Sequence, residues 1–140
     1  PVLRRHLLPA HRARRRAGES QWEVIRFGDY HFKGNDSHNV AVLGICPADG
    51  TIHLAFDHHG SPLHYRVSRP GVAQRPTEFK WTADLFGPIT SELEPGKKLL
   101  RVTYPRFVRA PAGGLQFGCR IGGSGDGAAR LVGPDRLRAL

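Results

Sequence analysis

From about residue 22 the chain alternates short apolar runs with clusters of Gly, Pro, Asp and Asn, which is the punctuation of strands and turns and carries no helical period. The pattern predicts strands over 22–27, 39–46, 51–57 and 63–68, and again over 99–108 and 115–121. Period-two alternation in the third of these puts Ile52, Leu54, Phe56 and, continuing, His58 on one face. Thr51, His53, Ala55 and Asp57 take the other. Residues 69–98 carry Pro70, Pro76, Pro88 and Pro95 and are predicted to be mostly loop, with a short edge strand at Phe79-Lys80-Trp81.

Two hairpin turns look alike. Pro47-Ala48-Asp49-Gly50 and Pro111-Ala112-Gly113-Gly114 each stand between apolar strands, 64 residues apart counted from Gly50 to Gly114. Asp-Gly and Gly-Gly suit the positive φ of tight turns. A unit of about four strands repeating every 40 to 50 residues or somewhat more is the sequence signature of a propeller blade. A sandwich or small barrel shows the same strand rhythm, so the pattern alone establishes an all-β, antiparallel chain.

Composition adds limits. With 39% hydrophobic and 24% charged residues the chain is globular in type. Its net charge of +9 is concentrated: six arginines (Arg4, Arg5, Arg12, Arg14, Arg15, Arg16) precede the first acidic residue, Glu19, which leaves +3 for the rest. A charge confined to one short run, with no nucleic-acid-binding module after it, argues against a nucleic-acid partner. No apolar stretch approaches the roughly 18 residues of a membrane span, and Leu7-Leu8 is cut short by Pro9 where a signal peptide needs a continuous apolar core. The chain starts at Pro1 and has no Met, so a fragment is expected. Its organisation is read as a basic tail over 1–18, one β domain over 19–132 and a tail over 133–140. Cys46 and Cys119 lie in strand-like runs and could be a disulfide or two buried thiols.

Four clusters carry titratable or cationic groups at strand ends: Asp36-Ser37-His38-Asn39, Asp57-His58-His59-Gly60, Thr103-Tyr104-Pro105 and Cys119-Arg120-Ile121-Gly122. Histidine exchanges protons near neutrality, tyrosine has a phenolic proton, and arginine grips a carboxylate with two parallel hydrogen bonds. That combination suits β-elimination from a uronic acid. The paired carboxylates of an ordinary glycoside hydrolase are harder to assign, since Asp36 and Asp57 are the only acidic residues in the clusters. No cofactor or metal is expected: His58 and His59 are adjacent in an extended segment and point opposite ways, and two cysteines alone give no zinc spacing.

The ordered series Asp-x-His-Asn, Gly-x-Ile-His-Leu-x-Phe-Asp-His-His-Gly, Leu-x-Tyr-Arg-x-Ser, Thr-Tyr-Pro-x-Phe and Arg-x-Gly-x-Ser-Gly, from Asp36 to Gly127, resembles the BNR-repeat-containing family that includes propeller ulvan lyases. The resemblance implies antiparallel four-stranded-sheet blades of a β-propeller, incomplete at about two blades. It also implies an acidic polysaccharide as partner and a secreted or periplasmic parent protein. Carried over by motif, the catalytic set is His38, His58, Tyr104 and Arg120, with Asn39 and His59 binding substrate and His59 a competing choice for the second histidine. His38 or Tyr104 would exchange protons, in an order left open, and Arg120 would neutralise the uronate. Ser124-Gly125-Asp126-Gly127 only approximates the aspartate-box turn of such repeats. A sugar-binding propeller without catalysis, or a sialidase-like hydrolase, would use the same residue types.

Overall fold

The computed structural model describes residues 11–14, 23–33, 36–122 and 128–132, so the aspartate-box-like segment and the far carboxy-terminal tail lie outside the described residues. Its strands are β1 (His11–Arg14), β2 (Glu23–Arg26), β3 (Ala41–Ile45), β4 (Ile52–Phe56), β5 (His59–Ser61), β6 (Tyr65–Val67), β7 (Glu92–Glu94), β8 (Lys97–Lys98), β9 (Val102–Arg109), β10 (Leu115–Ile121) and β11 (Ala128–Val132). All pairings are antiparallel. They form a three-stranded sheet β3-β4-β6, a four-stranded sheet β11-β10-β9-β5 and the two ribbons β1-β2 and β7-β8. Among the described residues the two larger sheets have four strands and three, the form of the antiparallel propeller blades that the resemblance implies, and they do not close a ring. β1 falls within the segment read from sequence as a tail; four extended residues there pair with β2 from His11↔Arg26 to Arg14↔Glu23.

Alternation on β4 explains how the two blades stack. Ile52, Leu54 and Phe56 point to one side and join Ile25, Phe27, Val72, Leu85 and Phe86 in a first core. Ala55, on the opposite side, joins Leu63, Tyr65, Leu93, Val102, Phe117 and Cys119 in a second core shared with the four-stranded sheet. Every residue of β4 is therefore buried. Gly44 on β3 permits the close approach of the second blade, because a Cβ there would sit 2.6 Å from Phe107 and 2.8 Å from Leu115. Phe117 is completely buried, and truncating such a ring to Ala costs about 3–5 kcal/mol.

Both look-alike turns form hairpins. Gly50 takes φ 69° and donates to the Cys46 carbonyl at 2.9 Å, while the Asp49 carboxylate accepts from the Thr51 amide at 3.0 Å. Gly113, at φ 83°, donates to the Ala110 carbonyl at 3.0 Å. In the proline-rich stretch, Phe79-Lys80-Trp81 is not a strand. It lies between the 3-10 turns Pro76–Glu78 and Ala83–Leu85, held by the Trp81 indole N–H on the Pro76 carbonyl at 2.8 Å. Leu85 and Phe86 then cap the first core. Cys46 and Cys119 are both buried thiols, not joined in a disulfide.

Candidate functional site

The site lies where β5, β9 and β10 run side by side. His59 on β5 pairs with Thr103 on β9, and Thr103 pairs with Arg120 on β10, so the three form one row across the sheet. Thr103 is buried, and its hydroxyl accepts the Gly60 N–H at 2.9 Å, tying the row together. The register between β9 and β10 slips beside this row: Tyr104 and Pro105 together face Cys119 alone. Such a bulge bends a strand and re-aims a side chain. Tyr104 accordingly has φ 54°, a left-handed conformation uncommon for a residue with a Cβ, and its ring stands 44% exposed. The Arg120 guanidinium carbon lies 5.1 Å from the centre of that ring. Its Nε is buried without a hydrogen-bond partner among the described residues, so its donor capacity is not used up by the fold.

Two loops bring histidines to the same place. Asp36 opens a turn in which its Oδ1 accepts the His38 amide at 2.9 Å and meets His38 Nδ1 at 2.5 Å. Its other oxygen meets Nδ1 of His59, which arrives 23 residues later in the chain. The chain reaches His59 through Asp57, at φ 61°, and the Ser61 hydroxyl closes that turn on the Asp57 carbonyl at 2.8 Å. The His38 and His59 rings stack, with centroids 4.4 Å apart and planes 22° from parallel, and His38 lies 5.9 Å from the Tyr104 ring. The backbone hydrogen bond from His38, then its ring and that of His59, hold the Asp36 carboxyl down at about 2. A neutral imidazole that donates from Nδ1 to a carboxylate carries its lone pair on Nε2. The three side chains are exposed, and their donor atoms lie within 4.8 Å of one another, close enough to hold a metal ion.

The structure thus brings together His38, His59, Tyr104 and Arg120, but not His58. His58 is fully buried: its Nε2 accepts the His64 amide at 2.9 Å and its ring stacks on that of His64 at 5.5 Å. Burial, helped by His64, lowers its pKa to about 4, so it is neutral at physiological pH. Of the two adjacent histidines expected near the site from sequence, His58 thus lies in the interior and His59 stands beside His38. The physical reason is that His58 continues toward the interior while the next residue emerges. Asn39 is half-exposed beside His38, with its amide directed to the Lys33 carbonyl at 3.5 Å and its Oδ1 buried.

Sequence reasoning missed Asp36 as the clamp of both histidines and Thr103 as the centre of the row. It missed as well the layer behind them, in which buried Asp57 accepts the Tyr30 hydroxyl at 2.5 Å and the Lys33 amide at 3.0 Å. Asp36-x-His38 was a visible signal, since an Asp carboxylate readily accepts the backbone N–H two residues on in such a turn. The meeting with His59 is tertiary and has no local signature.

Comparison with known proteins places the chain in a family. The sequence model described as BNR repeat-containing family member matches residues 9–139. The ulvan lyase, long isoform, of Alteromonas sp is 31% identical over 139 residues, a match covering 75% of this chain and 14% of that protein. The protein of the same name from Pseudoalteromonas sp. (strain PLSV) is 30% identical with the same coverage. The chain thus spans about a seventh of the length of these relatives, at 14%. The crystal structure of polysaccharide lyase Uly1 superposes with a TM-score of 0.65 at 24% identity, covering 79% of this chain and 30% of that one, and shows a shared fold. No helix among the described residues is long and apolar enough to cross a membrane.

Proposed function

This chain belongs to the BNR repeat-containing family, and from that premise we propose that it carries the catalytic face of a polysaccharide lyase cleaving uronic-acid polymers such as ulvan by β-elimination. The observation that carries this reading is the exposed convergence of two stacked histidines, a phenol and an arginine with an unspent buried Nε. Arg120 pairs with the uronate carboxylate and stabilises the charge that builds there as the proton on the adjacent ring carbon departs. Nε2 of His38, or the Tyr104 oxygen, takes that proton. The bond from the neighbouring carbon to the glycosidic oxygen breaks, a carbon–carbon double bond forms, and the leaving oxygen takes a proton from the other partner. His59 acts in the place the sequence had given to His58, and Asn39 orients the sugar. On this reading further blades of a longer, exported polypeptide complete the substrate cleft.

The test is to set this chain into a full-length ulvan lyase in place of the segment it matches, and to follow the ultraviolet absorbance of unsaturated uronates. Turnover that disappears with Arg120→Ala supports the lyase. Retained binding of ulvan without turnover would move the reading to a sugar-binding propeller.

A further inference from the structure

We infer that Asp36, His38 and His59 form a binding site for a divalent transition-metal ion of the zinc class. The inference stands independently of the lyase reading. The donors come from two loops that are distant in sequence: Nδ1 of His38 and Nδ1 of His59 each meet an Asp36 oxygen, and one ligand atom from each of the three residues lies within 4.8 Å of the others. Metal–nitrogen bonds of about 2.0–2.1 Å in a tetrahedral site hold donors about 3.4 Å apart, so small side-chain rotations admit an ion between them. Two imidazoles with one carboxylate are a donor set for Zn²⁺ and its neighbours, whereas Ca²⁺ and Mg²⁺ require mostly oxygen. The carboxylate supplies negative charge to the site. The three side chains are each 38–46% exposed, which gives an ion an open entry path and leaves coordination positions for water or a ligand oxygen.

Metal and carboxylate act oppositely on the rings. Clamped by Asp36, each histidine keeps the proton on Nδ1 and a lone pair on Nε2. With a metal on Nδ1 the proton sits on Nε2, which turns an acceptor into a donor. Occupancy therefore changes which nitrogen of each ring carries the proton.

Zn²⁺ is titrated into the 140-residue chain, with calorimetry for affinity and imidazole NMR resonances for location. The expected result is that His38 and His59 resonances shift while those of buried His53 and His58 do not, and that Asp36→Asn weakens the affinity roughly tenfold or more. Asp36 is exposed, so its variant should fold, as circular dichroism will show; His59→Gln serves as the second variant. Unmoved His38 and His59 resonances in excess Zn²⁺, or undiminished affinity in both variants, would overturn the proposal.

Discussion

The molecule keeps its histidines in two circumstances, and His58 and His59 show the contrast within one dipeptide. Inside, His53 bridges the Thr51 and Tyr65 hydroxyls at 2.7 and 2.6 Å, and His58 receives the His64 amide; both rings are fully buried, with pKa values lowered to about 4, mainly by burial. Outside, His38 and His59 stack in solvent on one ionised carboxylate, beside a phenol and a guanidinium. The inner rings act as neutral hydrogen-bonding spacers whose removal costs stability. The outer pair is held by few contacts and keeps two nitrogens available. Residue type says nothing about which role a histidine plays; the direction of one side chain from the backbone decides it.

The comparison can be broken in four ways, beginning with the largest expected effect. Arg120→Ala should reduce turnover of a lyase carrying this chain roughly a thousandfold, while the urea midpoint moves by less than about 0.5 kcal/mol equivalent; a large stability loss would make Arg120 structural. Acid should act on the inner rings. They are neutral when folded down to about 4 but titrate near 6.5 when unfolded, so the unfolded state binds more protons between those values and stability falls as pH falls through that window. Full stability is present above about 6.5, and the loss approaches on the order of 3 kcal/mol per ring at the bottom of the window. Denaturation at a series of pH values checks this, and a flat profile from 7 to 4 would contradict it.

Smaller effects sharpen the contrast within the dipeptide. His58→Ala removes a buried ring and strands the His64 amide, for a loss of about 2–3 kcal/mol by chemical denaturation, against about 0.5 or less for His59→Ala. Equal losses would mean that the two residues share one environment. Asp36→Asn keeps one acceptor oxygen and cannot clamp two rings. It should lower turnover about tenfold and return at least one of His38 and His59 to the Nε2–H form in nitrogen-15 spectra. Unchanged tautomers would remove the clamp from the account.

Much of the fold was legible because its signals are local. Alternation and turn chemistry located β3, β4 and β10 to within two residues and β9 to within three, and Pro-Ala-x-Gly marked both hairpins. β5 was missed because it is three residues long with Gly60 at positive φ, and β7-β8 because Pro95-Gly96 was read as continuing loop when it turns a hairpin. In the site, the alternation placed His58 on the face of Ile52, Leu54 and Phe56, which packs into the first core, but both faces of β4 are buried, so alternation did not separate His58 from His59. The bulge that re-aims Tyr104 and the Asp36–His59 meeting were beyond sequence, since a bulge and a loop-to-loop contact depend on how two sheets register.

The most direct measurement of the central claim uses the same host lyase with His59→Ala and His58→Gln, the latter keeping an acceptor for the His64 amide. The rate at which unsaturated uronate absorbance rises on ulvan is compared at equal folded protein. The account predicts that His59→Ala lowers the rate about a hundredfold, because the ring that stacks on His38 and shares its carboxylate positions the proton-exchanging group, while His58→Gln stays within a few-fold of the parent. Loss of turnover with His58→Gln and retention with His59→Ala would contradict it and return the catalytic role to the buried ring.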